Sequence, residues 1–551
     1  MSTQQFYEDS ELRKSNPQFS MVRSTIESAF YGNNVHEVTS VAEAYELAKN
    51  APGTIITDLP ILHTKELGLP SDAKQLVNNH GRILGRTASA RHFVGRVDRP
   101  DDDENELAGS LREDIFKGSE EKFLSATVLV GLDPNFALKA HLMIPENYAF
   151  NLLSYILNFQ FFDAEADKIY KKSKHYNEGD IYFYCDPNVT DPDYPDGLAV
   201  FDAQHNSAAV FGLRYFGELK KGTLTLTWAI AHRHGYTACH GGEKAFHFED
   251  KNDKVFAFFG LSGSGKSTLT HATHGGKYDI TVLHDDAFII SREDGSSIAL
   301  EPAYFDKTHD YPAGHHETKY YTTVMNCAVT LNKDGKKVLV TEDLRNGNGR
   351  TIKSRYTSKN RVDVEKDPIT ALFWIMKDGS LPPIIKIDDP VVATTFGLTL
   401  ATKRTSAENL PEGFDLDTLV IEPFADPFRA YPLKEDYSDF KELFTKQHAQ
   451  CYVLNTDAFM GKNIPKELTM NLLEILANDQ DKWEDFKPID GVSYMPLDDF
   501  PVDFSDQNYL SILKKRLQDR LNWLNDYNKN HPTAILQTEA KETLEKIINN
   551  L

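Results

Sequence analysis

This 551-residue sequence predicts an α/β protein with strands and helices intermingled. Three observations carry that expectation. KVFAFFG (254–260) is an apolar strand that runs into glycine and continues into a plausible helix. A block of short β-rich runs begins near residue 124. The chain then closes on leucines at three- and four-residue steps.

In chain order, residues 1 to about 75 read as a polar helical extension, typified by VTSVAEAYELAKN with apolar positions at helical spacing. PDDDENELAGSLRED (100–114) is acidic and reads as a solvated loop or linker. ATVLVGLD and LKAHLMIP read as strands, as does AVFDAQHNSAAVFGLRYFG with a polar turn at Gln204–Ser207. TLTLTWAIA (223–231) continues the strand pattern by alternating threonine with apolar residues. In 505–551, Leu510, Leu513, Leu517, Leu521 and Leu524 fall on one face of a packing helix. The expected domains are the helical extension to residue 75, an α/β domain over 76–235 and a nucleotide-binding domain over 236–551.

Composition narrows the function. Hydrophobic residues make up 40% and aromatics 11%, enough for a substantial interior. A formal charge of −22 argues against a general binder of nucleic acid or anionic membrane, but permits a local basic pocket for a small anion. Cys185, Cys239, Cys327 and Cys451 lie far apart without a CxxC pair, as suits a reducing compartment. MSTQQFYEDSELRK lacks a basic start followed by an apolar run, and no stretch approaches the ~20 apolar residues of a spanning helix. The expectation is a soluble cytoplasmic protein, monomeric or a small homo-oligomer.

The most legible chemistry is GLSGSGKST, Gly260, Leu261, Ser262, Gly263, Ser264, Gly265, Lys266, Ser267 and Thr268. It follows a strand and precedes a helix, the context of a phosphate-binding loop. Glycines let backbone N–H groups turn inward around phosphate oxygens. Lys266 would reach the β- and γ-phosphates of a nucleotide, and the Ser267 hydroxyl its Mg²⁺. Some twenty residues later YDITVLHDDAF ends a strand in Asp285 and Asp286. Hard cations want carboxylates beside the phosphates they bridge. Neighbouring strand residues face opposite ways, so one aspartate of the pair is expected to ligate and the other to stand behind it. Alone, such a pair is as readily a surface turn.

Three further groups are basic or aromatic in an acidic chain: GRTASAR (85–91), YFGELKKG (215–222) and YTACHGGEK (236–244). Singly, each reads as surface charge, a solvated turn or a structural histidine. Their order is informative: Tyr215, then Lys221, then His240 nineteen residues on, then the loop, then two aspartates. That order resembles ATP-dependent phosphoenolpyruvate carboxykinases. GLSGSGKST is similar to the family's GLSGTGKTT, GRTASAR to GRSPKDK, FGELKKG to GGEMKKG, and KDGSLPPIIK shares its LPP. The similarity runs over roughly 80–470.

The resemblance implies a two-lobed fold with a mixed-sheet nucleotide-binding domain. It also implies conversion of oxaloacetate and ATP to phosphoenolpyruvate, CO₂ and ADP. By the same resemblance Arg86 and Arg361 (in SKNRVDV) hold the substrate and Tyr215 lies beside it. Lys221, His240 and Asp286 ligate Mn²⁺, Ser262 faces the substrate, and Lys307 (in YFDKT) stands near the phosphates. Thr469 matches the adenine side, and 391–412 is the candidate lid. The sequence departs from the pattern at Ala287 and Phe288, where Glu-His is usual, and at Asn463, where arginine is usual. Two other readings remain open: a kinase of another acceptor similar to HPr kinase/phosphorylase, and a regulatory homologue without turnover.

Overall fold

The computed structural model describes residues 3–79, 87–99, 102–261, 263–342, 348–403 and 419–551. They form two compact units. Residues up to Ile230 together with Leu300–Lys359 build one; Ala231–Ala299 and the described residues from Asn360 onward build the other. The chain passes from the first to the second after Ile230, and the segment 300–359 returns to the first.

The first unit holds an eight-stranded mixed sheet among the described residues. Its order is Val35–Glu37, Phe123–Asp133, Phe136–Pro145, Ile181–Asp186, Ser207–Phe211, Leu198–Asp202 and Arg91–Phe93, with Gln160–Phe161 on the side of Phe123–Asp133. A five-stranded sheet runs Tyr304–Lys307, Arg350–Lys353, Tyr321–Met325, Lys74–Asn78 and Thr54–Pro60. The N-terminal residues contribute helices Met21–Ala29 and Val41–Asn50, and also three strands to these sheets. The β-branched run TIIT pairs with Lys74–Asn78, which a purely helical extension does not anticipate.

Two other expectations are corrected. TLTLTWAIA lies inside an 18-residue helix, Phe216–Arg233. Thr223, Thr225 and Thr227 are all fully buried, so the helix is enclosed on every side and has no polar face to set a 3.6-residue period. The Thr223 and Thr227 hydroxyls donate to the carbonyls of Leu219 and Thr223, which satisfies them inside the helix. The acidic stretch after residue 100 is likewise no linker: Glu104–Gly118 is a helix. Asp103 caps it by accepting from Asn105 N and Glu106 N, the first-turn acids suit the positive helix end, and Leu107 and Leu111 bury one face.

The second unit is built on an eight-stranded sheet ordered Asp279–Asp285, Gly241–His247, Lys254–Phe259, Ala371–Met376, Gln450–Asn455, Ile384–Ile387, Val492–Tyr494 and Glu484–Asp485. Lys254–Phe259 pairs antiparallel with Gly241–His247 and parallel with Ala371–Met376. It is therefore internal and apolar, and Phe256, Phe258, Phe373 and Tyr452 stack through the core beside it. The C-terminal helices Gln507–Asn530 and Thr538–Asn550 bury Leu513, Leu517, Leu521 and Leu524.

Candidate active site

The phosphate-loop motif leaves the sheet at the end of strand Lys254–Phe259 and enters helix Lys266–His271. Gly263 and Gly265 take φ values of 79° and 99°, which only glycine adopts without strain. A Cβ on Gly260 would stand 2.4 Å from Ser264 Oγ, so this glycine allows close approach of the loop to itself. Thr456 Oγ1 donates to the Ser264 carbonyl at 2.9 Å and holds the loop from outside. Ser262 lies outside the described residues.

Lys266 is 8% exposed, and its Nζ stands 3.7 Å from Asp285 Oδ1 and 3.6 Å from Asp286 Oδ1. The two carboxylates thus face one lysine, against the expectation that they point opposite ways. The reason is local. The strand ends at Asp285, and Asp286 has φ 137°, which breaks the alternation. Asp285 Oδ1 is buried with no hydrogen-bond partner, although an ammonium lies just beyond bonding distance. A buried carboxylate oxygen in that condition is suited to a further cation or ordered donor.

His240 completes this cluster. Its Nε2 is 3.0 Å from Asp286 Oδ1, and its Nδ1–H donates to the Ala425 carbonyl at 2.6 Å. A backbone acceptor on Nδ1 leaves the Nε2 lone pair towards the carboxylate, so a proton or a metal must lie between them. An imidazole nitrogen beside a carboxylate oxygen fits a divalent transition metal. Among the described residues no three of His, Cys, Asp and Glu group so as to hold a metal ion by themselves. The carbonyl comes from a strained turn: Phe424 and Ala425 have φ 54° and 55°. Phe424 is fixed there by stacking on Phe440, with ring centroids 4.6 Å apart.

The departures at Ala287 and Phe288 have a structural account. Both are fully buried, and Phe288 opens strand Phe288–Ser291 in register with Cys239. Its ring lies 6.2 Å from Phe259, under the strand that carries the loop. These positions pack the core where the family pattern has polar residues.

The first unit, taken by itself, holds a set of its own. Tyr215 precedes helix Phe216–Arg233, and its ring leaves no room for a Cβ on Gly217. Lys220 is fully buried and paired at 2.9 Å with Glu301, which also accepts from Asn158 Nδ2 at 2.6 Å. Lys221 Nζ stands 5.7 Å from the centroid of the Trp228 ring. Lys307 and Arg350 are register partners on strands Tyr304–Lys307 and Arg350–Lys353. Burial first, and then the Arg350 charge, hold the Lys307 ammonium below the usual lysine range. Two adjacent cations of this kind favour an anion between them.

Arg350 is the residue that reading the sequence missed. Its only signal is a strand pairing across more than forty residues. Arg361 belongs to the second unit, bridges Val282 and is engaged by Asp363. Arg86 lies outside the described residues. Thr469 is buried in helix Lys466–Ala477, and Asn463 is exposed in the short strand Lys462–Asn463. Of the lid candidate 391–412, Pro390–Leu398 is a helix with Val392–Leu398 buried, and 404–412 lie outside the described residues.

Taken together, the strand–glycine loop–helix, the lysine between two acids and the mixed sheets define a mixed α/β protein. Its family can be stated more closely. A family model described as phosphoenolpyruvate carboxykinase, of the ATP-dependent type, matches residues 63–488, and the chain belongs to that family. It is 27% identical over 307 residues to "Phosphoenolpyruvate carboxykinase (ATP)" of Aeropyrum pernix, covering 53% of this chain and 60% of the relative. It is 33% identical over 95 residues to "Phosphoenolpyruvate carboxykinase (ATP), glycosomal" of Trypanosoma brucei brucei, covering 17% and 19%. With "Phosphoenolpyruvate carboxykinase (ATP)" of Dictyostelium discoideum the identity is 24% over 211 residues, covering 35% and 36%. The chain therefore spans at most about three fifths of these relatives' lengths.

Proposed function

We propose that the protein converts oxaloacetate and ATP to phosphoenolpyruvate, CO₂ and ADP, reversibly. The observation that carries this reading is Lys266 held between Asp285 and Asp286, with His240 beside them, in a chain of this family. The loop amides and the Ser267 and Thr268 hydroxyls hold the nucleotide phosphates, and Lys266 orients the γ-phosphoryl group. Ser262 faces the substrate, and Thr469 serves the adenine side. His240 and Asp286 would supply two ligands for Mn²⁺, the resemblance assigns Lys221 as another, and the Ser267 hydroxyl would serve Mg²⁺. Divalent ions held there would supply positive charge beside the phosphates and beside an oxygen that gains negative charge during the reaction.

On the substrate side, Arg86 and Tyr215 keep the roles the resemblance gives them. Lys307 and Arg350 hold a carboxylate or phosphoryl oxygen, because a guanidinium next to an ammonium binds such groups strongly. Arg361 keeps the substrate role the resemblance gives it, and Arg350 joins it because it is the register partner of Lys307.

The reading includes a cytoplasmic location. Among the described residues no helix is long and apolar enough to cross a membrane.

The test is formation of oxaloacetate from phosphoenolpyruvate, bicarbonate and ADP with Mn²⁺, read by coupling to malate dehydrogenase. Turnover supports the assignment. Tight ATP binding without turnover under any condition would describe a regulatory homologue instead.

A further inference from the structure

One buried charge plays no part in the chemistry above. Lys244 lies in strand Gly241–His247, four residues beyond His240, and its side chain is wholly enclosed. Its Nζ donates to the Leu269 carbonyl at 2.7 Å, to the Ala272 carbonyl at 3.4 Å and to His274 Nε2 at 2.9 Å. Leu269 and Ala272 close the helix that begins at Lys266. Carbonyls at a helix C-terminus have no partner within the helix and carry its negative end. Three acceptors match the three protons of one ammonium group.

The proton arrangement is determined around the cluster. His274 Nδ1–H donates to Glu474 Oε1 at 3.2 Å, so Nε2 is left to accept from Lys244. Burial, then the Lys244 charge, hold His274 below the usual imidazole range, which keeps it neutral for that role. The other oxygen of Glu474 takes Lys277 at 2.8 Å. The aromatic rings of Phe246 and Phe258 fill the remaining space around the lysine, and Val282 is its register partner on the neighbouring strand. Glu474 is the one carboxylate acting on Lys244 among the described residues, and it does so from beyond the histidine.

We propose that Lys244 is a positioning residue for the phosphate loop. Its ammonium pins the last turn of the loop's helix to the strand leading from His240, and nucleotide binding weakens when that ammonium loses its proton. Burial pushes this lysine down to about 7, so the pin is fully formed below that pH and is lost above it. A neutral amine keeps two donors for three acceptors, and the 3.4 Å bond to the Ala272 carbonyl, the longest of the three, is the one given up, which loosens the helix end. The functional half of the proposal rests on the nucleotide reading of the loop; the pin itself does not.

Hydrogen exchange of a peptide spanning 266–273 in the nucleotide-free protein, corrected for intrinsic rates from about pH 5.5 to 8.5, tests the pin directly. Wild type is expected to lose protection through about pH 7. His274→Gln, which keeps an acceptor but cannot titrate, retains the step. Flat protection in wild type overturns the proposal, and so does loss of the step in His274→Gln, because the imidazole would then be the titrating group. Lys244→Met, if it folds, shows low protection at every pH.

Calorimetry with ADP tests the consequence. Wild type loses about two- to tenfold in affinity across the same range, the worth of one hydrogen bond, and Lys244→Met does not. Equal pH dependence in both proteins overturns the positioning role. No ADP binding at any pH removes the nucleotide reading, and the functional half with it, whatever the exchange shows.

Discussion

The glycine-rich loop and the Lys307–Arg350 pair both concentrate positive charge, by opposite means. The loop is contiguous: nine residues, two left-handed glycines and one lysine make the site on their own strand and helix. The Lys307–Arg350 pair exists only because two strands more than forty residues apart align in register. A one-residue slip would turn one of the two side chains to the opposite face of the sheet. A contiguous site depends on local backbone geometry, whereas a paired site depends on the whole sheet around it.

Five substitutions break or sharpen that contrast. Lys266→Ala removes the only lysine of the loop, and turnover should fall by about a thousandfold or more, with circular dichroism unchanged. Retained turnover would detach the loop from the chemistry. His240→Ala should weaken Mn²⁺ binding by about a hundredfold, as read by electron paramagnetic resonance of free Mn²⁺. Unchanged Mn²⁺ affinity would remove the His240–Asp286 pair from the metal site.

The paired site gives the intermediate effect. Arg350→Gln should raise KM for oxaloacetate by about tenfold to a hundredfold, a loss of one charge-assisted contact. Arg361→Gln should raise it too, and an unchanged KM would remove Arg361 from the substrate. Smallest is Ala425→Gly. Glycine takes φ 55° without penalty, so thermal unfolding should show a gain of about 0.5–1 kcal/mol, with the bond to His240 Nδ1 kept. Lower stability would mean that the turn is not strained.

Legibility in the sequence followed the same division. The loop, its flanking strand and the C-terminal leucine helix were readable because each is encoded within a few consecutive residues. Asp285 and Asp286 were located correctly, but their orientation was not, since a single φ of 137° overrides strand alternation. TLTLTWAIA misled because burial on all sides erases helical amphipathicity. The acidic segment misled because charge at 103–106 is cap and first turn rather than solvent-facing coil. Arg350 and Lys244 were invisible for one reason: their partners come from elsewhere in the chain. Family likeness brought His240 and Lys221 to notice, where spacing alone left them ordinary.

The return of residues 300–359 to the first unit bears on how the chain is made. Strands Thr54–Pro60 and Lys74–Asn78 leave the ribosome early, but Tyr321–Met325 and Arg350–Lys353, which complete their sheet, follow the entire phosphate loop. The earlier strands must wait with an unpaired edge while part of the second unit emerges, a condition that invites chaperone binding. A gene divided after Ile230 would leave the first product without the strands that finish its sheet, while the second product would carry the whole second unit and the borrowed segment 300–359 besides.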